Sequence, residues 1–170
     1  MVNLGTRLAM VACMVALSAQ IRAQVVPGDS FPPLSAAGLS GGELPETEGR
    51  VVLIDFWASW CAPCKASFPT YSRLQSEFAA RGLVVVAVGV DNNLSAYGAF
   101  VARMKPTFST LYDSRRKLVG LVQVPTMPTS YLLDRTGTVR FEHSGFHGDQ
   151  TERELRREIE TLLGEESATR

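Results

Sequence analysis

The sequence lacks the concentrated positive charge that a nucleic-acid-binding surface requires. Its 170 residues contain 17 Lys and Arg against 17 Asp and Glu, without a basic run of five or more residues. Because phosphate backbones are bound through clustered Lys and Arg, we expect no nucleic-acid partner. Internal repeats are also missing, and the length suits one globular domain preceded by a short processed segment.

Cysteine and histidine are scarce, with three and two in the chain. Cys61 and Cys64 are so close in sequence that a disulfide between them would close a very short loop and add little stability. Zinc is an alternative use, since these cysteines with His143 and His147 would supply a Cys₂His₂ set. Compact zinc modules, however, separate their two ligand pairs by only about 12 to 15 residues. We therefore predict no metal and no cofactor beyond the cysteine pair itself.

The chain has no apolar run long enough to cross a bilayer comfortably. Residues 8–19 are uncharged and follow Arg7, which is the layout of a secretory signal. We predict residues 1–23 as a signal peptide and residues 24–170 as the folded domain, with a retained N-terminal membrane anchor as the alternative. Both interpretations place the domain in the periplasm or another extracytoplasmic compartment.

Apolar and amphipathic segments alternate in the order of an α/β protein. A continuous apolar run predicts a buried strand at residues 51–57, helical spacing predicts a helix at 61–80, and a second buried strand follows at 83–90. Strand, helix and strand in this order make a βαβ unit. The Gly- and Pro-rich segment before it, residues 25–50, is predicted to be an extension of short strands and turns.

The second half of the chain continues with shorter elements. We predict a hairpin of two strands around a turn that ends at Gly137. Thr151 and Glu154 have the spacing of a capping box, which predicts the start of the last helix at Thr151. The remaining predictions are a helix at 94–104, a short strand at 109–112, a helical piece at 115–121, and hairpin strands at 129–133 and 138–143.

Cys61 and Cys64 stand between the first predicted strand and its helix. There the first sulfur lies at a helix N-terminus, where free backbone N–H groups stabilise a thiolate, so Cys61 is the predicted nucleophile. Cys64 lies one turn further in and is the predicted resolving thiol. Pro63 stiffens the turn and Ala62 adds no charge. Without a histidine between the cysteines, the reduced form gains no extra stabilisation, which favours a reducing pair.

Asp55 is the one charge in the first strand. Burial should raise the pKa of this carboxyl, and a carboxyl able to accept a proton near Cys64 would make that thiol a better attacker. The alternative is an aspartate that faces solvent at the end of the strand.

Two prolines, Pro125 and Pro128, precede the strand at 129–133. We choose Pro128, because a cis Met127–Pro128 bond would present a backbone edge with which an extended substrate could pair. Trp60, next to the nucleophile, is expected to cover the sulfurs and contact substrate, whereas Trp57 is expected in the core.

The stretch from Asp55 to Lys65, together with Met127-Pro128-Thr129, resembles the thioredoxin superfamily. The preceding signal, the Gly/Pro-rich extension and the stretch from Pro128 to Gly137 are most similar to bacterial TlpA/ResA-like proteins. The resemblance implies a thioredoxin fold, a central mixed β-sheet flanked by helices, with an N-terminal β extension and a helical insertion at 94–104. The lysine that partners the equivalent aspartate in thioredoxins has no counterpart here, since Ala87 occupies its place.

The resemblance also implies a function. The chain would be a thiol-disulfide oxidoreductase, most simply a monomeric reductase of disulfides in exported proteins, supplied with electrons by a membrane thiol carrier. Three alternatives stay open: a module that handles copper or zinc with the same cysteines, an oxidant of exported thiols, and a non-catalytic interaction domain. A peroxidase is disfavoured, because a C-x-x-C pair leaves no separate peroxidatic cysteine.

Overall fold

The central strand of the molecule is β1 (Val51–Trp57), whose seven residues are all buried. In the computed structural model, which describes residues 24–165, β1 pairs in parallel with β2 (Leu83–Gly89) and antiparallel with β4 (Thr129–Leu133). A strand with a partner on each side and helices on each face has no surface left for water. This explains why β1 reads as a continuous apolar run.

Two shorter strands complete a five-stranded mixed sheet. β3 (Ser109–Tyr112) pairs in parallel with β2, and β5 (Val139–Ser144) pairs antiparallel with β4. The strand order is therefore β3-β2-β1-β4-β5. The predicted α/β fold with a mixed sheet is confirmed, including the helical insertion after β2.

Residues 24–165 form four α-helices, of which the first three connect strands and the fourth follows β5. They are α1 (Ala62–Phe78), α2 (Leu94–Met104), α3 (Lys117–Val122) and α4 (Asp149–Gly164). A 3-10 turn, Ala79–Arg81, extends α1, and Gly82 ends it with φ 107°, a left-handed conformation that glycine adopts without steric cost. Within residues 24–165, no helix combines the length and the apolar character needed to span a membrane.

Alternate residues of β1 face opposite layers. The Trp57 ring packs against Phe68 of α1 and Phe100 of α2, with ring centroids 5.3 and 4.3 Å apart. Phe56 points the other way, towards Tyr131. Because side chains alternate along a strand, Asp55 shares the face of Trp57 and so lies on the α1 side of the sheet.

The N-terminal extension forms fewer strands than expected. Its β content consists of two isolated bridges, Ser30 with Thr138 and Ser40 with Tyr112, joined by a 3-10 helix at Leu34–Ala37. The two bridges lie at opposite edges of the sheet, so they cannot form one ladder, and Pro32 and Pro33, which have no backbone N–H, do not extend the first bridge into a strand. The predicted signal peptide, residues 1–23, lies outside the described residues.

Two predicted helix starts are wrong. α4 begins at Asp149 rather than at Thr151, whose hydroxyl is buried in the first turn and accepts the backbone N–H of His147. α3 begins at Lys117 rather than at residue 115, because the Asp113 carboxylate accepts the backbone N–H groups of Lys117 and Val119, both at 2.9 Å. In both places, contacts around the helix end override the local sequence pattern.

Candidate active site

Cys61 and Cys64 form a disulfide at the start of α1, with an Sγ–Sγ distance of 2.08 Å. Cys61 is the N-cap of the helix, and its Sγ accepts the backbone N–H of Cys64 at 3.2 Å. Cys61 keeps 5% of its surface exposed, whereas Cys64 is completely buried. The first sulfur is therefore the one that a partner can reach, and a helix N–H already points at it.

The residues around the disulfide present an open surface. Ala62 and Pro63 are exposed, and Trp60 is 65% exposed. Trp57 is fully buried in the aromatic cluster, as predicted. An exposed indole next to a nucleophilic cysteine offers a large apolar contact to an incoming polypeptide. Binding of substrate by Trp60, Ala62 and Pro63 stays a prediction.

Asp91 holds the turn that leads to Cys61, and the sequence reasoning missed it. Its buried carboxylate accepts the backbone N–H of Ser59 on both oxygens, at 3.1 Å each, and the Ser59 hydroxyl at 2.6 Å. Asp91 follows β2 and Ser59 follows β1, so both lie at the carboxyl edge of two parallel strands. An aspartate placed directly after a buried parallel strand was the signal available in the sequence.

Asp55 is fully buried, so the alternative of a solvent-facing aspartate is wrong. Its Oδ1 accepts the phenol of Tyr71 at 3.0 Å, and its Oδ2 has no hydrogen-bond partner among the described residues. Burial raises the pKa of Asp55 well above its usual range, and the Tyr71 bond opposes this rise only in part. The carboxyl therefore keeps its proton to a higher pH than an exposed aspartate does.

The neighbours of this carboxyl come from α1, β2 and β4. Cys64, Ser67 and Tyr71 recur along α1 at the spacing of one helix face, and the Ser67 hydroxyl donates to the Cys64 carbonyl at 3.0 Å. In the sheet, Asp55 stands between Ala87 of β2 and Ser130 of β4. Ala87 therefore occupies the neighbouring position without a charge, and polar groups come from α1 and β4 instead.

The Met127–Pro128 peptide bond is cis, at the position chosen from the sequence. Pro128 is buried, Met127 is partly buried, and the Pro128 carbonyl accepts the backbone N–H of Gly145 at 2.8 Å. The role of Met127 and Pro128 in binding an extended substrate stays a prediction.

Within the described residues, His143 and His147 do not form a metal site with Cys61 and Cys64. His143 Nε2 lies 2.7 Å from Glu158 Oε2 of α4, and both cysteines are joined in the disulfide. Across residues 24–165, no group of three or more His, Cys, Asp and Glu side chains is arranged to hold a metal ion. His147 is exposed in the loop before α4.

Comparisons with known proteins agree with this geometry. Residues 27–142 match the AhpC/TSA family. The ResA thiol-disulfide oxidoreductase of Oceanobacillus iheyensis is 32% identical over 97 residues, which are 57% of this chain and 50% of that protein. This chain therefore matches about half the length of that relative. The thioredoxin-like protein YneN of Bacillus subtilis is 32% identical over 138 residues, 78% of each chain.

Solved structures show the same architecture. The crystal structure of a protein designated thiol:disulfide interchange protein DsbE, from Chlorobium tepidum, superposes with a TM-score of 0.76 and 34% sequence identity. The match covers 83% of this chain and all of that one. With the five-stranded mixed sheet and the Cys61–Cys64 pair at the start of α1, these matches place the chain in the AhpC/TSA family, among thioredoxin-like proteins similar to ResA-type thiol-disulfide oxidoreductases.

Proposed function

We propose that this protein is a thiol-disulfide reductase that reduces disulfides in exported proteins. The observation that carries the proposal is the position of the cysteine pair. Cys61 caps α1 and is reachable, and Cys64 is buried one turn later within bonding distance of it. An attacking thiol and a protected resolving thiol are the two parts that disulfide exchange needs.

The proposed reaction has two exchange steps. The Cys61 thiolate attacks one sulfur of a substrate disulfide, forms a mixed disulfide and releases the first substrate thiol. Cys64 then loses its proton and attacks Cys61 Sγ, which forms the Cys61–Cys64 disulfide and releases the second substrate thiol. Two electrons and two protons pass from the dithiol to the substrate, and an external dithiol must restore the reduced enzyme.

Asp55 supports the second step in this proposal. Cys64 is fully buried, where forming a thiolate is costly, so its proton needs an acceptor within the protein. Asp55 is buried beneath the same helix, has a raised pKa and carries an oxygen that no group within residues 24–165 bonds. Its ionised form would take the Cys64 proton during the attack and pass it to the departing thiolate.

The surroundings of Cys61 support the proposed reducing direction. The two residues between the cysteines, Ala62 and Pro63, carry no charge, and the thiolate is supported by a backbone N–H. The Asp91 carboxylate is held two residues from Cys61 through Ser59, where its negative charge opposes a second one on the sulfur. A less stabilised thiolate makes the dithiol a better electron donor.

The proposed setting is extracytoplasmic. Residues 1–23 would direct export or anchor the domain, and a membrane thiol carrier would supply electrons to a monomeric domain. The exposed Trp60 and the edge at Met127 and Pro128 would bind the substrate chain. Intact mass and N-terminal sequencing of the exported protein would test the processing, because retention of residues 1–23 would favour the anchor.

The reduction potential of the cysteine pair tests the direction of electron flow. The domain is equilibrated with graded thiol-disulfide buffers, and the fraction oxidised is counted by alkylation of free thiols and mass spectrometry. A midpoint below roughly −220 mV supports a reductase, whereas one near about −120 mV would make the protein an oxidant of exported thiols. Cys61→Ser is the matched control, because it retains Cys64 but cannot form the disulfide.

The catalytic cycle needs a second measurement. Cys64→Ser should accumulate a mixed disulfide between Cys61 and a model disulfide-containing protein, since the resolving thiol is missing. Wild-type protein with a dithiol reductant should turn the same substrate over. Absence of both trapping and turnover would reject the enzyme proposal in favour of an interaction domain. Stoichiometric copper or zinc on the purified reduced protein would instead favour metal handling.

A further inference from the structure

Tyr71 is the hydrogen-bond partner of Asp55. Its phenol donates to Asp55 Oδ1 at 3.0 Å, and both side chains are buried. The sequence pattern marks Tyr71 only as a core residue of α1, because it recurs at helical spacing with Phe68, Leu74 and Phe78. The ring does pack in the core, 6.3 Å from the Phe108 ring between centroids, but its hydroxyl ends at the carboxyl.

Among the described residues, two buried tyrosine hydroxyls are hydrogen-bonded: that of Tyr71 to the Asp55 carboxyl and that of Tyr112 to the Asp91 carbonyl. The hydroxyls of Tyr97 and Tyr131 are buried without a hydrogen-bond partner among the described residues. The Tyr71 hydroxyl donates to Asp55. A hydrogen bond between two buried side chains constrains the position of the carboxyl that accepts it.

We propose that Tyr71 is a positioning residue for disulfide exchange. Its hydroxyl engages Oδ1 of Asp55 and thereby leaves Oδ2 as the oxygen that exchanges a proton. This inference rests on the proposed function, because Tyr71 would act through Asp55 during the attack by Cys64. Ala87 stands where the resemblance to thioredoxins implies a lysine, so at this site the side chain that bonds Asp55 is Tyr71 instead.

The Tyr71 phenol is a neutral hydrogen-bond donor, so it affects the Asp55 carboxyl differently from a charged lysine. The phenol stabilises the ionised carboxyl through one hydrogen bond without adding a positive charge. Burial and the neighbouring Asp55 raise the pKa of Tyr71 well above its usual range, so the phenol keeps its proton and remains a donor. Asp55 is therefore kept ionisable at a buried position.

Ionisable groups close to Asp55 could contribute to the pH dependence assigned to it. On α1 this group is Tyr71, and the proposed function adds the Cys64 thiol of the reduced protein, which is buried on the same helix. From the sheet, β2 contributes Ala87, and β4 contributes Ser130, neither of which ionises. Two groups lie further away. His143 of β5, bonded to Glu158 of α4, stands beyond Ser130, and Tyr97 of α2 packs on Trp57.

The test is the pH dependence of resolution in a single turnover. Cys61 is loaded with a small aromatic thiol as a mixed disulfide, and release of that thiol is followed between pH 5 and about pH 9. Wild-type protein should show an ionisation that Asp55→Asn removes. Tyr71→Phe should move this ionisation to higher pH by about one unit and slow release several-fold on the acidic side.

A matched control and a second variant separate the outcomes. Tyr131→Phe removes a buried hydroxyl on the opposite sheet face, for which the described part of the chain offers no hydrogen-bond partner, and should leave the profile unchanged. If Tyr71→Phe fails to fold, 3-fluorotyrosine at position 71 provides a more acidic donor and should move the ionisation to lower pH. Carbon-13 NMR titration of the Asp55 carboxyl should report the same shifts.

Two results would contradict the inference and are distinguishable. If Asp55→Asn removes the ionisation but changes at Tyr71 leave it in place, Tyr71 only packs, and the proposed function stands. If Asp55→Asn leaves the wild-type profile unchanged, the role of Asp55 and that of Tyr71 both fail. Disulfide exchange itself would be rejected only if Cys61 formed no mixed disulfide.

Discussion

Replacing Asp55 with asparagine should stabilise the oxidised protein, and the gain should grow with pH. The native state holds this carboxyl in a fully buried site that raises its pKa, whereas the unfolded chain exposes it to water. Ionised Asp55 therefore costs free energy in the native state. Asparagine has nearly the same shape, can still accept the Tyr71 phenol, and never ionises.

The direction of the pH dependence follows from proton counts. An unfolded aspartate ionises near about pH 3.9, while native Asp55 keeps its proton to a higher pH. Between these two values the native state binds one proton more, so wild-type stability falls by about 1.4 kcal/mol per pH unit. The loss is absent below the unfolded pKa, grows through this window, and is complete above the native pKa.

Urea unfolding of both proteins at several pH values would measure this difference. The disulfide should stay intact, so that no cysteine titrates during the experiment. The two free energies of unfolding should agree to within about 1 kcal/mol near pH 4 and diverge as the pH rises. A constant difference between pH 4 and about pH 8 would refute the argument, because it would mean that native Asp55 ionises normally.

Asp134→Asn is a control with the opposite sign. Burial tends to raise the pKa of Asp134, but hydrogen bonds from Thr136, Thr138 and Arg140 outweigh it and lower that pKa below its usual value. Ionised Asp134 therefore stabilises the native state above the unfolded pKa, and this stabilisation is lost as the pH falls through the native pKa. Asp134→Asn should lose stability at neutral pH and approach wild type in acid.

Two further predictions concern the aromatic cluster behind the site and the hydrogen bond that holds the turn before Cys61. Phe100→Ala should lower the free energy of unfolding by about 3 to 5 kcal/mol in urea denaturation, since the ring lies between Trp57 and Phe68 at 4.3 and 5.0 Å; a loss below about 1 kcal/mol would mean the cluster is loosely packed. Ser59→Ala should change the pH dependence of Cys61 alkylation, because it removes the 2.6 Å hydrogen bond to Asp91. Ser59→Thr retains a hydroxyl for this bond and should behave like wild type. Identical alkylation profiles in all three proteins would leave Asp91 a purely structural role.

The sequence predicted those parts of the fold that leave a pattern in consecutive residues. β1 and β2 are continuous apolar runs because both of their faces are covered, and α1 ends where Gly82 supplies a left-handed residue. Cys61 and Cys64 were identifiable because their chemistry depends on a short spacing at a helix start.

The features that the sequence did not predict depend on groups far apart in the chain. Asp91 and Ser59 meet only because β1 and β2 are parallel and end at the same edge. The spacing of Tyr71 indicates burial, but says nothing about which group of the sheet its hydroxyl contacts. Thr151 fits a capping box by type, yet its hydroxyl accepts a backbone N–H from the preceding loop.

The bridges of the N-terminal extension have a consequence for the protein at high concentration. Ser40 pairs with Tyr112 on edge strand β3, and Ser30 pairs with Thr138 at the start of edge strand β5. Unpaired strand edges are templates on which other chains add and aggregate. One segment of the chain thus occupies positions on both borders of the sheet, and a shortened protein without it should self-associate more readily during production and storage.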